Sequence, residues 1–464
     1  MKTARVWQVL TVFVLLAIVL VACGSSTPTA APATAAPATA APATTAPATV
    51  APKPAGPVTL VVMVAESDFS QDQQKEFMAA NPSITIQRID VDNTKLQAME
   101  AAGTPPDLFR ASGADTASYV KRGWVLDLTP YFAKSTVLKP DDMVPPVSYF
   151  IIDGKQYGMN TDWSPDQSYV INKKMAAAAG ITLPDPATHP IITWAQAGEW
   201  AKKMTKVTGG RVEVTGMNYS GYWDANLQTI LMETGQDLYS ADFTHASIKD
   251  NQTVVDFLTF MADLAKNNAI HSAINPDPNW IVPDLLSGAD ASGTNGYWIQ
   301  GGFHDVTPPP TVDPNDIVMY PALSWGGKVV VNPGLGGAGW FIYSKTAHPD
   351  EAWKLYEYFF GGDPAVNRAK TGWGLPALKS LYSLIPQNTP FEKQFLDDAQ
   401  WEAANTVQKP RTINPYYQTN VLNDTWNAEL EKYLKGQETI TQAIENLDTA
   451  VNNAITTGKA ATGG

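Results

Sequence analysis

VTLVVMVA, Val58 to Ala65, and SITIQRID, Ser83 to Asp90, frame the stretch that decides the fold. The first is an apolar, β-branched run of strand length, and the second alternates apolar and polar residues, so both read as strands. Between them Ser70 to Ala80 reads as a helix with Phe77 and Met78 on its apolar side, stopped by Asn81-Pro82. Strand, helix and strand in succession make a β-α-β unit with parallel strands and a right-handed crossover. Thr94 to Ala102, ended by Gly103, adds a helix, and Asp107 to Ala111 a third strand. This alternation predicts an α/β sheet covered on both faces.

The pattern continues outward from there. Gln156 to Asn160 and Gln167 to Asn172 read as strands around a polar loop. Thr193 to Thr205 opens on an N-cap threonine and sets Trp194, Ala197, Trp200, Ala201 and Met204 on one side. Asn251 to Lys266 does the same with Val254, Leu258, Met261 and Ala265. Gly339 to Lys345 is a strand. Pro349 to Phe360 is a helix with proline first and Asp350 and Glu351 in its first turn. Tyr417 to Thr457 is mostly helical. No repeat of solenoid length is present. About 400 residues of this kind exceed one core and predict two lobes.

The N-terminal end reads differently. Lys2 and Arg5 precede an apolar run from Val6 to Ala22, and Leu20-Val21-Ala22-Cys23 follows, the layout of a secretory signal over residues 1–23. The Leu-Val-Ala-Cys end resembles the bacterial lipobox, which implies a lipid on Cys23 and anchoring to the outer face of the cell membrane. Cys23 is the single cysteine, so no intrachain disulfide can form. Residues 24–57 are an Ala/Pro/Thr tract with an APAT-like repeat that cannot bury a core. As an extended spacer it would reach roughly 100 Å. Loss of Lys2 and Arg5 from the 32 basic residues leaves 30 against 45 acidic ones. That balance excludes nucleic acid and anionic lipid surfaces as partners.

Gly334-Leu-Gly-Gly-Ala-Gly339 fits G-x-G-x-x-G after the apolar Val329-Val330-Val331. A dinucleotide cradle needs a helix directly after the glycines. Trp340-Phe341-Ile342-Tyr343 is a strand pattern instead, so the glycines are expected where the chain crosses between lobes. No cofactor is expected. The five histidines, His189, His245, His271, His304 and His348, have no zinc-type spacing. Asp90-Val91-Asp92-Asn93 begins like a calcium loop but lacks its glycine and distal glutamate, and reads as a solvated strand end. There is no G-x-S-x-G elbow. Acidic pairs are too common here to single out a glycosidase pair.

Aromatic residues beside polar ones recur in loops: Asn160-Thr161-Asp162-Trp163, Tyr219 to Asp224 with Tyr222 and Trp223, Gly296-Tyr297-Trp298, and Gly372-Trp373-Gly374. A sugar offers an apolar C–H face to a ring and a rim of hydroxyls to carboxylates and amides. Such loops stand at the carboxyl ends of strands, where ligands bind in open sheets. By the same logic Glu66 follows the first strand, and Ser112 and Asp115 follow the third. Trp340 either reaches the cleft or belongs to a lobe core. For each single residue, packing competes with ligand contact as the explanation. The set as a whole is expected to line a cleft.

Several pieces, in order, resemble the extracellular solute-binding proteins of ABC importers, in the sugar-binding group that includes maltose-binding protein. They are NPSITIQ, PPDLFRASGADTASYVKRGWVLDLTPYF, DGKQYGMNTDWSPDQSYVINKKMAAAAGI, ITWAQAGEWAKKMT, GGAGWFIYSKTAHPDEAWKLYEYF and GWGLPALKSLY, running from Val58 to the C-terminus. The third departs from the usual Tyr-Asn-Lys, with Ile171 before Asn172-Lys173. The resemblance implies a type II two-lobed periplasmic-binding-protein-like fold, each lobe a mixed, mostly parallel sheet flanked by helices. Lobe 1 is then 58–163 plus 341–385 and lobe 2 is 164–340 plus 386–464, joined by a hinge. It further implies a monomer that closes on a carbohydrate and delivers it to an ABC permease without covalent chemistry. It places Tyr417 near the cleft. Tyr416-Tyr417 also resembles the tyrosine pair of ferric-iron carriers, which leaves iron or a peptide as a competing cargo. A secreted carbohydrate-active enzyme and an adhesive surface lipoprotein are the rival functions.

Overall fold

Val58–Met63 (β1), Gln71–Ala80 (α1), Ile84–Ile89 (β2), Asn93–Ala101 (α2) and Leu108–Ser112 (β3) follow one another in the computed structural model. β1 pairs in parallel with both β2 and β3, as the opening pattern predicts. The structure describes residues 56–461, apart from 145–148, 219–222, 278, 305–309, 328–330, 333–334, 409–411 and 418–419. The signal, Cys23 and nearly all of the spacer lie outside the described residues. Ser70 and Gln73 form a capping box that starts α1. Asp92 of the calcium-like stretch accepts from the Lys95 amide at 2.9 Å and caps α2. Asp90 pairs with Arg88 at 2.9 Å.

The chain continues through Thr116–Lys121 (α3), Gly158–Asn160 (β4), Asp162–Ser164 (β5) and Ser168–Asn172 (β6). The polar loop expected between two strands thus holds a strand of its own, β5. Next come Trp194–Met204 (α4), Trp223–Glu233 (α5), Gln252–Lys266 (α6), Ile281–Ser287 (α7), Ser292–Asn295 (β7) and Ile317–Ala322 (β8). Leu335–Gly336 (β9) and Ala338–Ile342 (β10) lead to Pro349–Gly361 (α8), Asp363–Thr371 (α9) and Leu375–Pro376 (β11). Pro390–Asn405 (α10), Asn420–Leu434 (α11) and Ile440–Ala461 (α12) form the helical tail. Among the described residues no helix is long and apolar enough to cross a membrane.

Three sheets organise these elements. The first has the order β2-β1-β3-β10-β4, with β10 antiparallel to both neighbours. The second is the antiparallel trio β7-β6-β8. A third, β9-β5-β11, is also antiparallel, and two of its strands lie where the chain passes between the first two sheets. β5 carries the chain from the first sheet to the second, and β9 carries it back. One mixed sheet and two antiparallel ones, flanked by helices, give the α/β two-lobed architecture expected. The second sheet, however, is antiparallel where a mostly parallel one was expected, since β6 is flanked by β7 and β8 running against it.

Strand parity sets the cores. Leu60, Val62, Leu108, Trp340 and Ile342 face α1 and α8, where Phe77, Trp353, Tyr356 and Phe359 meet them. Met63, Phe109, Ala111 and Phe341 face the other way, onto Leu96, Tyr119 and Phe150. In the second sheet Tyr169 and Ile171 pack with Trp194, Phe257 and Trp426, while Val170 and Met319 join the first cluster.

Helix α10 carries two acids inward. Asp398 and Glu402 are fully buried, and Glu402 accepts from Ser168 Oγ at 2.5 Å and the Ala322 amide at 3.0 Å. Burial, opposed by Glu402 and reinforced by the Asp397 charge, pushes the Asp398 carboxyl up to about 8. The folded chain then holds a proton that the unfolded chain releases near the ordinary carboxylate pKa of about 4. Stability contributed by this group is present below about pH 4 and falls as pH rises toward 8. Asp398→Asn should flatten that decline, so its melting temperature should cross above the parent's near pH 8 in a scan from pH 5 to 9. Parallel pH curves for the two proteins would refute the assignment.

A candidate ligand cleft

Asp162 lies on β5, where the chain leaves the first sheet, and its partner comes from α9. Arg368 Nη2 and Nε both lie 2.5 Å from Asp162 Oδ2. Arg368 Nη1 also stands 3.4 Å from Asp68, in the connection after β1, and Asp68 lies 2.5 Å from Arg110 Nε on β3. Burial pulls the Arg368 guanidinium down, but the Asp162 and Asp68 carboxylates outweigh it and its pKa ends above the ordinary value. A chain of alternating charge, Arg110-Asp68-Arg368-Asp162, therefore ties four elements together. A small pocket opens beside it, lined by Thr161, Asp162, Arg368, Trp373, Gly374 and Leu381 among others.

Trp373 belongs to a second feature of the same region. The indoles of Trp280, Trp298 and Trp373 lie nearly parallel, at interplanar angles of 8°, 24° and 17°, with ring centres 6.0, 6.1 and 6.4 Å apart. Gly301 and Gly302 make the arrangement possible. A Cβ on Gly301 would stand 2.4 Å from the Trp373 ring, and one on Gly302 would stand 2.3 Å from the Trp280 ring. Trp280 keeps 39% of its surface exposed, which offers an aromatic surface beside buried charge.

The residues expected from the sequence divide into three groups. Asp162, Trp298 and Trp373 stand in this region. So do Asn160, whose amide donates to the Asp162 carbonyl at 2.8 Å, and Trp163, whose indole N–H donates to the Tyr382 hydroxyl at 2.8 Å. Both are buried. Glu66 and Ser112 serve the backbone: Glu66 accepts from the Gln71 amide at 2.8 Å and Ser112 Oγ from the Ala114 amide at 3.2 Å. Asp115 ends that same turn ahead of α3. A separate neighbourhood holds Asp224, which accepts from Asn423 at 3.3 Å, and Tyr417, whose hydroxyl lies 2.5 Å from that of Tyr239. Trp223 begins α5, its side chain outside the described residues with all of Tyr222.

The structure closes one alternative that the sequence leaves open and weighs against a competing one. Trp340 does not reach an open surface. It is fully buried on the α8 face of the first sheet and stacks on Phe359 at 3.8 Å. Parity explains this: on a sheet covered on both faces, every side chain of a central strand meets a core. The tyrosine pair is poorly suited to ferric iron. Burial, with Tyr239 and Asp224 adding, pushes the Tyr417 phenol well above its ordinary value, which opposes phenolate formation. The Tyr416 ring instead carries the Lys121 ammonium 4.1 Å from its centre. As for the glycine string, Gly334 lies outside the described residues. Gly336 pairs in β9, and Gly339 is the second residue of a strand, β10, with no helix directly after it. A Cβ on Gly339 would stand 2.3 Å from Phe150, so close packing explains that glycine.

Trp280, Arg368, Asp68 and Arg110 were not singled out by sequence. The doubled glycine of Tyr297-Trp298-Ile299-Gln300-Gly301-Gly302 was the available signal, because paired glycines within an aromatic run allow rings to approach the backbone.

Residues 63–363 match the family model described as bacterial extracellular solute-binding protein. Solved structures share the fold at low identity. An ABC substrate-binding protein from Listeria monocytogenes, in complex with cycloalternan, aligns with TM-score 0.68 and 21% identity over 86% of this chain and 98% of its own. The GacH receptor of Streptomyces glaucescens, studied unliganded and with acarbose, gives 0.65 and 19% over 86% and 99%. The maltose/maltodextrin-binding domain MalE from Bdellovibrio bacteriovorus, bound to maltotriose, gives 0.65 and 17% over 86% and 100%.

Proposed function

The chain belongs to the bacterial extracellular solute-binding proteins, and from that premise we propose that it captures a carbohydrate between its lobes and hands it to an ABC permease. The family works outside the cytoplasm, where a binding step and a hinge suffice. The ligand docks on one lobe, and closure follows because the closed form binds it better. The observation that carries the sugar reading is the parallel Trp280, Trp298 and Trp373 group beside the Asp162–Arg368 pair. Rings take the C–H faces of a sugar, and a charged pair takes its hydroxyls. The relatives with bound saccharides support the same class. The lobes divide near 58–163 plus 341–385 and 164–340 plus 386–464, with the return moved forward to Ala338, because β10 pairs in the first sheet from that residue on. A lipid on Cys23 holds the monomer to the outer face of the membrane.

Melting temperature against a panel of mono- and oligosaccharides tests the proposal, with amino acids, peptides and ferric citrate as controls. A ligand at 100 times its dissociation constant adds about 2.7 kcal/mol, a shift of several degrees. One saccharide class should give that shift and be recovered intact. Trp373→Ala should weaken it by about 2 kcal/mol, roughly 30-fold in Kd. A shift from peptide or iron alone would reject the carbohydrate, and a hydrolysed saccharide would reject the carrier.

A further inference from the structure

Four side chains converge around the connection that follows α6 and leads into Trp280 and α7. His271, Asp277 and Asp284 each offer a ligand-type atom within 4.8 Å of the others. Asp290 stands behind them, its Oδ1 2.9 Å from His271 Nε2. Histidine spacing gave no sign of this group, because the partners are aspartates farther along the chain.

Two details distinguish the group from an ordinary acidic patch. The first is Asp284. It is 1% exposed; Asn279 donates to its Oδ1 at 2.8 Å, and its Oδ2 has no hydrogen-bond partner. A buried carboxylate oxygen without a donor is costly, and Asp284 is one of the three convergent residues. The second is the orientation of His271. Its Nδ1 lies 3.2 Å from the Asn275 carbonyl, which can only accept, so the Nδ1 proton is fixed and Nε2 faces the carboxylates. A backbone carbonyl behind an imidazole is the support that metal-ligating histidines use. The carboxylates are braced as well. Asn218 Nδ2 lies 3.3 Å from Asp277 and 2.6 Å from Asp290, and the Asn279 amide donates to Asp277 at 3.2 Å. Asp277 keeps 17% exposure and gives the group access to solvent.

We propose that His271 Nε2, Asp277 and Asp284 bind one divalent cation, with Nε2 exchanging its Asp290 contact for the ion and the Asn275 carbonyl serving as the outer-sphere partner through Nδ1. One nitrogen and two carboxylate oxygens favour an ion that accepts both donor types, as zinc and manganese do, over calcium or magnesium, which prefer oxygen alone. Trp280 lies between Asp277 and Asp284 in the chain, so the ion would clamp the loop that presents it.

The full-length protein is stripped with EDTA and titrated with Mn2+, Zn2+, Ca2+ and Mg2+, by calorimetry and by melting temperature. Zinc or manganese should bind at one ion per chain and raise the melting temperature by several degrees. Asp277→Asn alters the most exposed carboxylate of the three and keeps a side chain of the same shape, so it should fold; it should weaken the ion by about tenfold or more. His271→Gln should do the same. The proposal is overturned by no stoichiometric binding of any of the four ions. It is equally overturned by binding that both variants leave unchanged, or by calcium bound in preference with His271→Gln without effect.

Discussion

Trp340→Ala should lower the unfolding free energy by about 3–5 kcal/mol, the cost of emptying a buried aromatic site. It should leave saccharide affinity unchanged. The indole is fully buried between Phe359, on which it stacks at 19°, and the edges of Phe69 and Phe360. Neighbours on β10 cannot collapse into the space, because β3 and β4 hold that strand on both sides. Urea unfolding of the variant, with the m-value checked for a two-state transition, reads the loss directly. A variant of parental stability that has lost its ligand would show the ring to be a contact residue after all.

Arg368→Leu should cost about 3 kcal/mol, the lower end for removing one partner of a buried ion pair. The discount reflects the 21% exposure that the guanidinium keeps. Its removal leaves Asp162 and Asp68, 14% and 9% exposed, without their shared counter-charge. Adding Asp162→Asn should recover part of the loss, and a double-mutant cycle measures how much. Arg368→Lys should not restore the parent, since one ammonium cannot replace a planar fork that reaches two carboxylates. Additive single and double effects would show the two residues to be uncoupled.

Local order carried the sequence reading a long way. The β-α-β opening, the N-cap threonine of α4 and the tail helices are short-range features, so residues near one another in the chain announce them. The face of Trp340 was not legible in that way. It depends on which side of β10 receives α8, and a strand buried on both faces carries no alternation to read. The Arg110-Asp68-Arg368-Asp162 chain escaped for a related reason. Its members come from four elements, and nothing local says that they meet. Trp298 and Trp373 stood out because glycine flanks them. Trp280 follows Pro276-Asp277-Pro278-Asn279, with no glycine within three residues of it to draw attention. The aspartates near His271 were absorbed into the general acidity of the chain.

The strand order has a consequence for how the protein is made. The first sheet cannot finish until β10 slots between β3 and β4, after the whole second sheet has been synthesised. All three strands of the second sheet precede β10 in the chain, yet part of its apolar cover, Trp426, Leu447 and Ile455, arrives with the last two helices. Each half therefore waits for residues that leave the ribosome late. Long-range closure of this kind is slow and leaves strand edges open meanwhile. A clip that removed α12 would take Leu447, Val451 and Ile455 from the second core and expose its interior.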